Sequence, residues 1–130
     1  MVEPVTEIVF DYAKAQLRPD NIIRLEMFDN VLIGIKECRE MNNAIGELSA
    51  GKEALVLMVP SPSTQFALES RDFSASQEGQ KFTLADAIVV SNLGQRILVS
   101  FYLKFNKPPK PSKAFDTEEH GIKWLLSFVK

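Results

Sequence analysis

The run Ala54-Leu55-Val56-Leu57-Met58-Val59 is apolar without a break, and it restricts the fold more than any other stretch. A strand with one wet face alternates apolar and polar residues, whereas this one offers no polar face at all. Such strands lie inside sheets that are covered by helices on both sides. The run is also the longest of its kind in the chain, far short of the ~20 apolar residues that a helix needs to cross a bilayer. Ala85–Val90 reads as a second buried strand.

The flanking segments supply the covering helices. Ile35, Cys38, Met41, Ile45 and Leu48 recur every three or four residues, the period of an amphipathic helix from about Gly34 to Ala50. Gly51 is placed to end that helix with a left-handed cap. A helix is expected from about Thr64 to Gly79, and another over Leu93–Phe105. On the latter, Ile97, Leu98, Phe101, Tyr102 and Phe105 form a wide apolar face, with Phe101 and Phe105 expected against the sheet. Three prolines keep Asn106–Ser112 extended, and Lys113–Phe115 fits a short edge strand. Asp116 with Glu119 makes a capping box before a last helix that contains Ile122, Trp124, Leu125 and Phe128.

Before these elements, Thr6–Met27 alternates as a β-hairpin around Arg18-Pro19-Asp20-Asn21, whose residue types favour a turn. A helix over Thr6–Leu17 is the competing reading. The expected architecture is an α/β fold: a mixed sheet of four to five strands with an N-terminal hairpin, flanked by about four helices. Residues 1–130 form one domain, with 1–21 as an N-terminal extension and first hairpin strand.

A chain of 130 residues with one cysteine, 25% charged residues and a net charge of -2 has ordinary globular composition and no general attraction for nucleic acid. Cys38 has no internal partner for a disulfide, and Met1-Val2-Glu3-Pro4 lacks the basic start of a secretory signal, so a cytoplasmic location is expected. Charge is unevenly spread. Arg96, Lys104, Lys107, Lys110 and Lys113 fall between Asn92 and Lys113 with no carboxylate among them. This stretch is either a solvated rim or a docking face for an acidic partner or anionic lipid head groups.

The last third carries a family resemblance. Val89-Val90-Ser91-Asn92-Leu93-Gly94-Gln95-Arg96 resembles the strand-to-helix junction of small bacterial proteins with a SpoIIAA-like (STAS-like) fold. Phe101–Pro108 is similar to the helix and Asn-Lys-Pro turn that follow there. Ala114–Glu119 with Trp124-Leu125 resembles the closing strand and capped helix, and Ser70-Arg71-Asp72-Phe73 with Glu78-Gly79 the second helix. The likeness implies a mixed sheet with helices packed on it. In the anti-sigma-factor antagonists of this group, a serine at the start of the second helix is phosphorylated, and its signature is an Asp-Ser pair. Here Pro60-Ser61-Pro62-Ser63-Thr64-Gln65 stands in that place, with no acidic residue before the serines. More distantly, lipid-exchange proteins of the CRAL-TRIO type share a related fold.

Two loops are the candidate rims. Ser61, Ser63 and Thr64 lie between a buried strand and an expected helix, where ligands tend to bind in open α/β sheets. Free N–H groups and the helix dipole would favour a phosphate there, and a plain helix N-cap is the competing role. Ser91 and Asn92 are likewise caps or rim residues, and Arg96 either meets an anion or pairs with a carboxylate. His120 and Cys38 lack the neighbours that a metal or a nucleophile requires, and no catalytic motif is present. The expectation is a non-catalytic module without cofactor or metal that binds another protein, itself in a homodimer included, with Tyr102, Lys104 and Lys107 on its docking face. Nucleic acid is not expected as a partner, and membrane contact would be peripheral. The alternative is a carrier or sensor of a small apolar or lipid-like ligand held between the helix after Asn92 and the sheet, which needs an enclosed cavity of roughly a few hundred cubic ångströms.

Overall fold

The computed structural model describes residues 6–129; the first five residues of the expected N-terminal extension lie outside them. Strand β1 (Glu7–Val9) turns at Asp11-Tyr12 into β2 (Ala13–Leu17), and β2 turns at Arg18–Asn21 into β3 (Ile22–Met27). Both pairings are antiparallel. A short β4 (Leu32–Ile33) leads into helix α1 (Ile35–Leu48) and then β5 (Ala54–Pro60), which is parallel to β3. Next come β6 (Gln65–Phe66), α2 (Leu68–Ser74), β7 (Thr83–Val89), α3 (Leu93–Phe101), β8 (Ser112–Phe115) and α4 (Glu118–Leu126). A π-helical turn, Tyr102–Asn106, continues α3. The main sheet has six strands in the order β1-β2-β3-β5-β7-β8, and β4 pairs with β6 apart from it.

This order explains where the helices lie. From β3 to β5, β7 and β8 the chain steps in one direction across parallel strands. Right-handed crossovers then carry α1, α2 and α3 to the same face, and α4, which follows the last strand, covers the other. Alternate residues of β5 serve the two layers. Ala54 and Val56 join Met41, Ile45 and Phe73 beneath α1 and α2, whereas Leu55 and Leu57 join Ala85, Ala87 and Leu125 beneath α4. Both faces of the apolar run are thus buried, as its composition requires.

Several local outcomes differ from the sequence expectations. Six strands form in place of four to five, because Thr6–Leu17 folds back on itself: Phe10 N donates to Ala13 O at 2.8 Å. The helix expected over Thr64–Gly79 shrinks to Leu68–Ser74. The cause is the β4 segment: the carbonyls of Val31, just before the strand, and of Ile33 accept from Gln65 N and Ala67 N at 2.9 Å each and hold those residues extended. Thr117, not Asp116, caps α4, with its Oγ1 accepting from His120 N at 3.2 Å. Arg24 of β3 forks onto Glu118 in the first turn of that helix (2.7 and 3.0 Å) and keeps its carboxyl below the usual range.

At the end of α1, Gly51 N donates to Gly46 O (2.7 Å) and Ala50 N to Glu47 O (3.3 Å), the two bonds of a Schellman cap. The residue in the left-handed position of that cap is Ala50, with φ of 57°, and Gly51 follows at φ of 79°. A Cβ in this conformation is crowded by the next carbonyl. Ala50→Gly is therefore expected to raise the unfolding free energy in urea by about 0.5–1 kcal/mol, the relieved strain exceeding the entropy that glycine adds to the unfolded chain; a loss of stability would contradict this cap.

Candidate functional site

Strands β5 and β7 end side by side, and the two candidate rims meet there. Asn92 Oδ1 accepts from Gln95 N at 2.8 Å and caps α3, while its Nδ2 donates to Pro62 O at 3.4 Å. Buried Gln95 then closes the junction. Its Nε2 donates to Ser61 O at 2.6 Å, and its Oε1 accepts from Ser91 N at 2.8 Å. One side-chain amide therefore ties the loop after β5 to the loop after β7. Periodicity overlooks Gln95 because it counts apolar residues. The available signal was its position three residues after an Asn N-cap, on the row Gln95, Leu98, Val99, Tyr102.

The hydroxyl cluster forms a knot. Thr64, 7% exposed, donates from Oγ1 to Phe28 O at 3.0 Å, accepts from Ser61 N at 3.0 Å and lies 2.9 Å from Ser61 Oγ. Ser63 Oγ accepts from Asn30 N at 2.9 Å and donates to Asp29 Oδ1 at 3.3 Å. These bonds pin the loop to the turn after β3. The expected helix N-cap role of Ser63 and Thr64 is overturned: the N-cap of α2 is Ala67, with β6 in between. The Asp29 carboxylate, which accepts from Ser63 Oγ, opposes an anion beside Ser63. Ser91 is exposed, and Arg96 pairs with Asp116. Cys38 sits in the core with its thiol pushed up by burial, and His120 is exposed.

The Gln95 contacts also set how α3 is rotated about its axis. Gln95, Leu98, Val99 and Tyr102 face inward, and Tyr102 is 8% exposed. Leu93, Ile97, Phe101 and Phe105 consequently face out, at 72%, 49%, 55% and 63% exposure. This reverses the expectation that Phe101 and Phe105 meet the sheet, and it removes Tyr102 from the expected docking face. The Phe101 and Phe105 rings stack with centroids 5.3 Å apart, and Lys104 Nζ lies 5.5 Å from the Phe105 centroid. Lys104 and Lys107 are exposed beside the row, while Lys110 is paired with Glu53 at 2.6 Å.

Beneath the inward row lies a cleft between α2, α3 and the sheet, with a cavity volume of about 80 Å³. That is below the few hundred cubic ångströms expected for a lipid-like occupant. Its walls include Met58, Ile88, Leu98 and Tyr102, together with Arg71 and Asp86. A second space of about 60 Å³ beneath α1 shares Met58, Phe66, Ser74 and Asp86 with it. Asp86 is 5% exposed. Its Oδ2 lies 3.4 Å from Gln80 Nε2, and its Oδ1 has no partner. Burial lifts its carboxyl from 3.8 to about 6, with the Ser112 and Gln80 side chains pulling the other way.

The sequence matches, over residues 15–129, a family described as a domain of unknown function, DUF7793. The chain belongs to the DUF7793 family. No curated protein matches it in sequence. A solved structure from Shewanella loihica PV-4, an uncharacterized protein of the DUF3478 family with a SpoIIAA-like fold, is similar at 15% identity. It covers 87% of this chain and 91% of its own, with a TM-score of 0.59. A protein of unknown function from Arthrobacter sp. FB24 aligns at 23% identity over 85% of this chain and 90% of its own, with a TM-score of 0.29. The DUF7793 domain therefore has the SpoIIAA-like fold that its C-terminal motifs resemble. No helix among the described residues is long and apolar enough to cross a membrane.

In the DUF7793 domain, Asp86 puts a titratable charge under the cleft. The folded state holds the Asp86 proton more tightly than the unfolded chain, so ionisation costs stability that is absent below about pH 3.8 and fully felt above about pH 6. The displacement from 3.8 to about 6 corresponds to about 3 kcal/mol. Relative to wild type, Asp86→Asn is expected to gain about 2–3 kcal/mol in urea unfolding between acid and neutral pH. A difference between the two proteins that does not change with pH would contradict the buried, unpaired carboxylate.

Proposed function

We propose that the DUF7793 domain is a non-catalytic STAS-like binding module that docks an acidic protein partner on the outer face of α3 in a regulatory interaction. The observation that carries this reading is the row Leu93, Ile97, Phe101 and Phe105, left exposed along a single helix. Isolated apolar residues on a surface are ordinary, but a contiguous row with polar neighbours is typical of an interaction site. Aromatic anchors such as Phe101 and Phe105 supply the desolvated centre that such interfaces use.

Charge selects the partner. Lys104 and Lys107 flank the row, and α3 has no acidic residue in its first turn. Two copies packed row to row would set lysines against lysines or against the positive end of the other helix. An acidic, amphipathic segment of another protein meets neither cost. The Ser61, Ser63 and Thr64 hydroxyls are occupied within the fold, so the docking reading does not rest on their modification. With its one thiol buried in the core, the domain suits the cytoplasm, where we place it.

Affinity capture from lysate of the source organism, with wild type, Ile97→Asp/Phe101→Asp and Ser63→Ala compared side by side, tests this reading. A partner with an acidic binding segment should be retained by wild type and Ser63→Ala and lost with the α3 variant. Capture indifferent to the α3 change, or wild-type protein that recovers only a second copy of itself, would overturn it.

A further inference from the structure

A groove of about 510 Å³ lies where α4 packs beside β8, the last strand of the main sheet. Small-molecule sites occupy about 300–1,000 Å³, so this space, unlike the cleft beneath α3, is large enough for an organic ligand. Its lining combines an aromatic wall, Phe115 and Trp124, with a polar rim of Arg96, Asp116, His120 and Lys123. Trp124, the one tryptophan of the chain, is half-buried. Its ring is wedged between Phe115, with centroids 5.6 Å apart, and Phe128, which meets it edge-on at 4.9 Å. A ring fixed in this way loses little further freedom when a second ring stacks on it.

Charge on the rim favours a single negative group. Arg96 pairs with Asp116, but a guanidinium has five N–H donors and keeps some free. Lys123 is exposed and pairs with no carboxylate among the described residues. Arg96 and Lys123 against Asp116 leave one net positive charge on the rim. Glu119, one turn before Lys123 on α4, does not line the groove. The sheet edge here is not built to accept another strand. Pro108, Pro109 and Pro111 precede β8 and Lys113 stands on it, the features by which sheet edges resist pairing. The occupant is therefore a small molecule and not an extended peptide.

We propose that this groove binds a small aromatic monocarboxylate of the arylacetate kind. Its ring stacks on Trp124, and its carboxylate is shared by Arg96 and Lys123. Both parts are needed. An aliphatic acid gains the cations but not the ring contact, and an aromatic amine gains the ring contact but faces Arg96 and Lys123. A dianion exceeds the one net positive charge of the rim and meets the Asp116 carboxylate. The site is independent of the docking row, since none of Leu93, Ile97, Phe101 and Phe105 lines it.

Calorimetric titration of the full chain with phenylacetate and 3-phenylpropanoate, repeated while following the fluorescence of Trp124, tests the proposal. At least one of the two acids should bind saturably near neutral pH and change the tryptophan emission over the same concentration range. Cyclohexylacetate, which keeps the charge and loses the aromatic ring, should bind about two- to tenfold more weakly than phenylacetate, and 2-phenylethylamine should not bind. Arg96→Gln and Lys123→Gln should each weaken the bound acid about three- to tenfold, whereas Lys107→Gln, which removes a lysine outside the groove, should leave it unchanged. Arg96 and Lys123 are exposed, so their replacement keeps the fold intact. The proposal is overturned by no saturable binding of either acid, by binding that leaves the Trp124 emission unaltered, or by cyclohexylacetate or the amine binding as well as phenylacetate. Affinity unchanged in Arg96→Gln and Lys123→Gln, or weakened as much by Lys107→Gln, overturns it equally.

Discussion

Everything in this fold follows from a central strand that tolerates water on neither face. β5 sends Ala54 and Val56 to one layer and Leu55 and Leu57 to the other. Each of these side chains is worth about 1–3 kcal/mol when removed from water, alanine less. A helix must therefore cover each side. The right-handed crossovers that build the parallel set place three helices on one face. The opposite face is left to α4, which Arg24 and Glu118 fasten to β3. Three helices over one side of a small sheet do not seal it fully, and the cleft that contains Asp86 is the gap between two of them and the strands.

The second constraint is polar. Helix α3 is held at its N-terminal end by Asn92 and Gln95, whose amides reach Pro62, Ser61 and Ser91. A helix rotated by hydrogen bonds need not turn its most apolar side inward. Here Gln95 occupies the buried row, and Phe101 and Phe105 are left outside. The π-helical turn at Tyr102–Asn106 continues the helix with Tyr102 still buried. Such turns insert a residue and often mark functional segments. The same helix thus presents two unlike surfaces, a wet apolar row with lysines and a dry wall over a buried carboxylate.

What the sequence made legible was set by apolar periodicity and turn chemistry. The doubly buried strands, the α1 repeat of Ile35, Cys38, Met41, Ile45 and Leu48, and the turn at Arg18–Asn21 all follow from local rules, and the structure contains them. The exceptions involve distant partners. Gln65 and Phe66 read as the start of a helix until Val31 and Ile33 come alongside. Thr64 reads as a cap until Phe28 O takes its hydroxyl. The outward turn of Phe101 depends on Gln95 meeting Ser61, 34 positions away. Asp86 was hidden inside a buried apolar strand, where a single acid attracts little notice; the shortage of partners around it emerges only when the sheet and α2 are assembled.

Both surfaces of α3 depend on its orientation, and unfolding free energies of its variants measure that orientation. Ile97→Asp and Phe101→Asp, each studied alone in urea, should change stability by less than about 1 kcal/mol, because an exposed position loses little on becoming charged. Tyr102→Ala in the same assay should cost about 3 kcal/mol or more, as a large buried side chain does. If instead Phe101→Asp proved as destabilising as Tyr102→Ala, the apolar row would belong to the core, and the docking face derived from it would not exist.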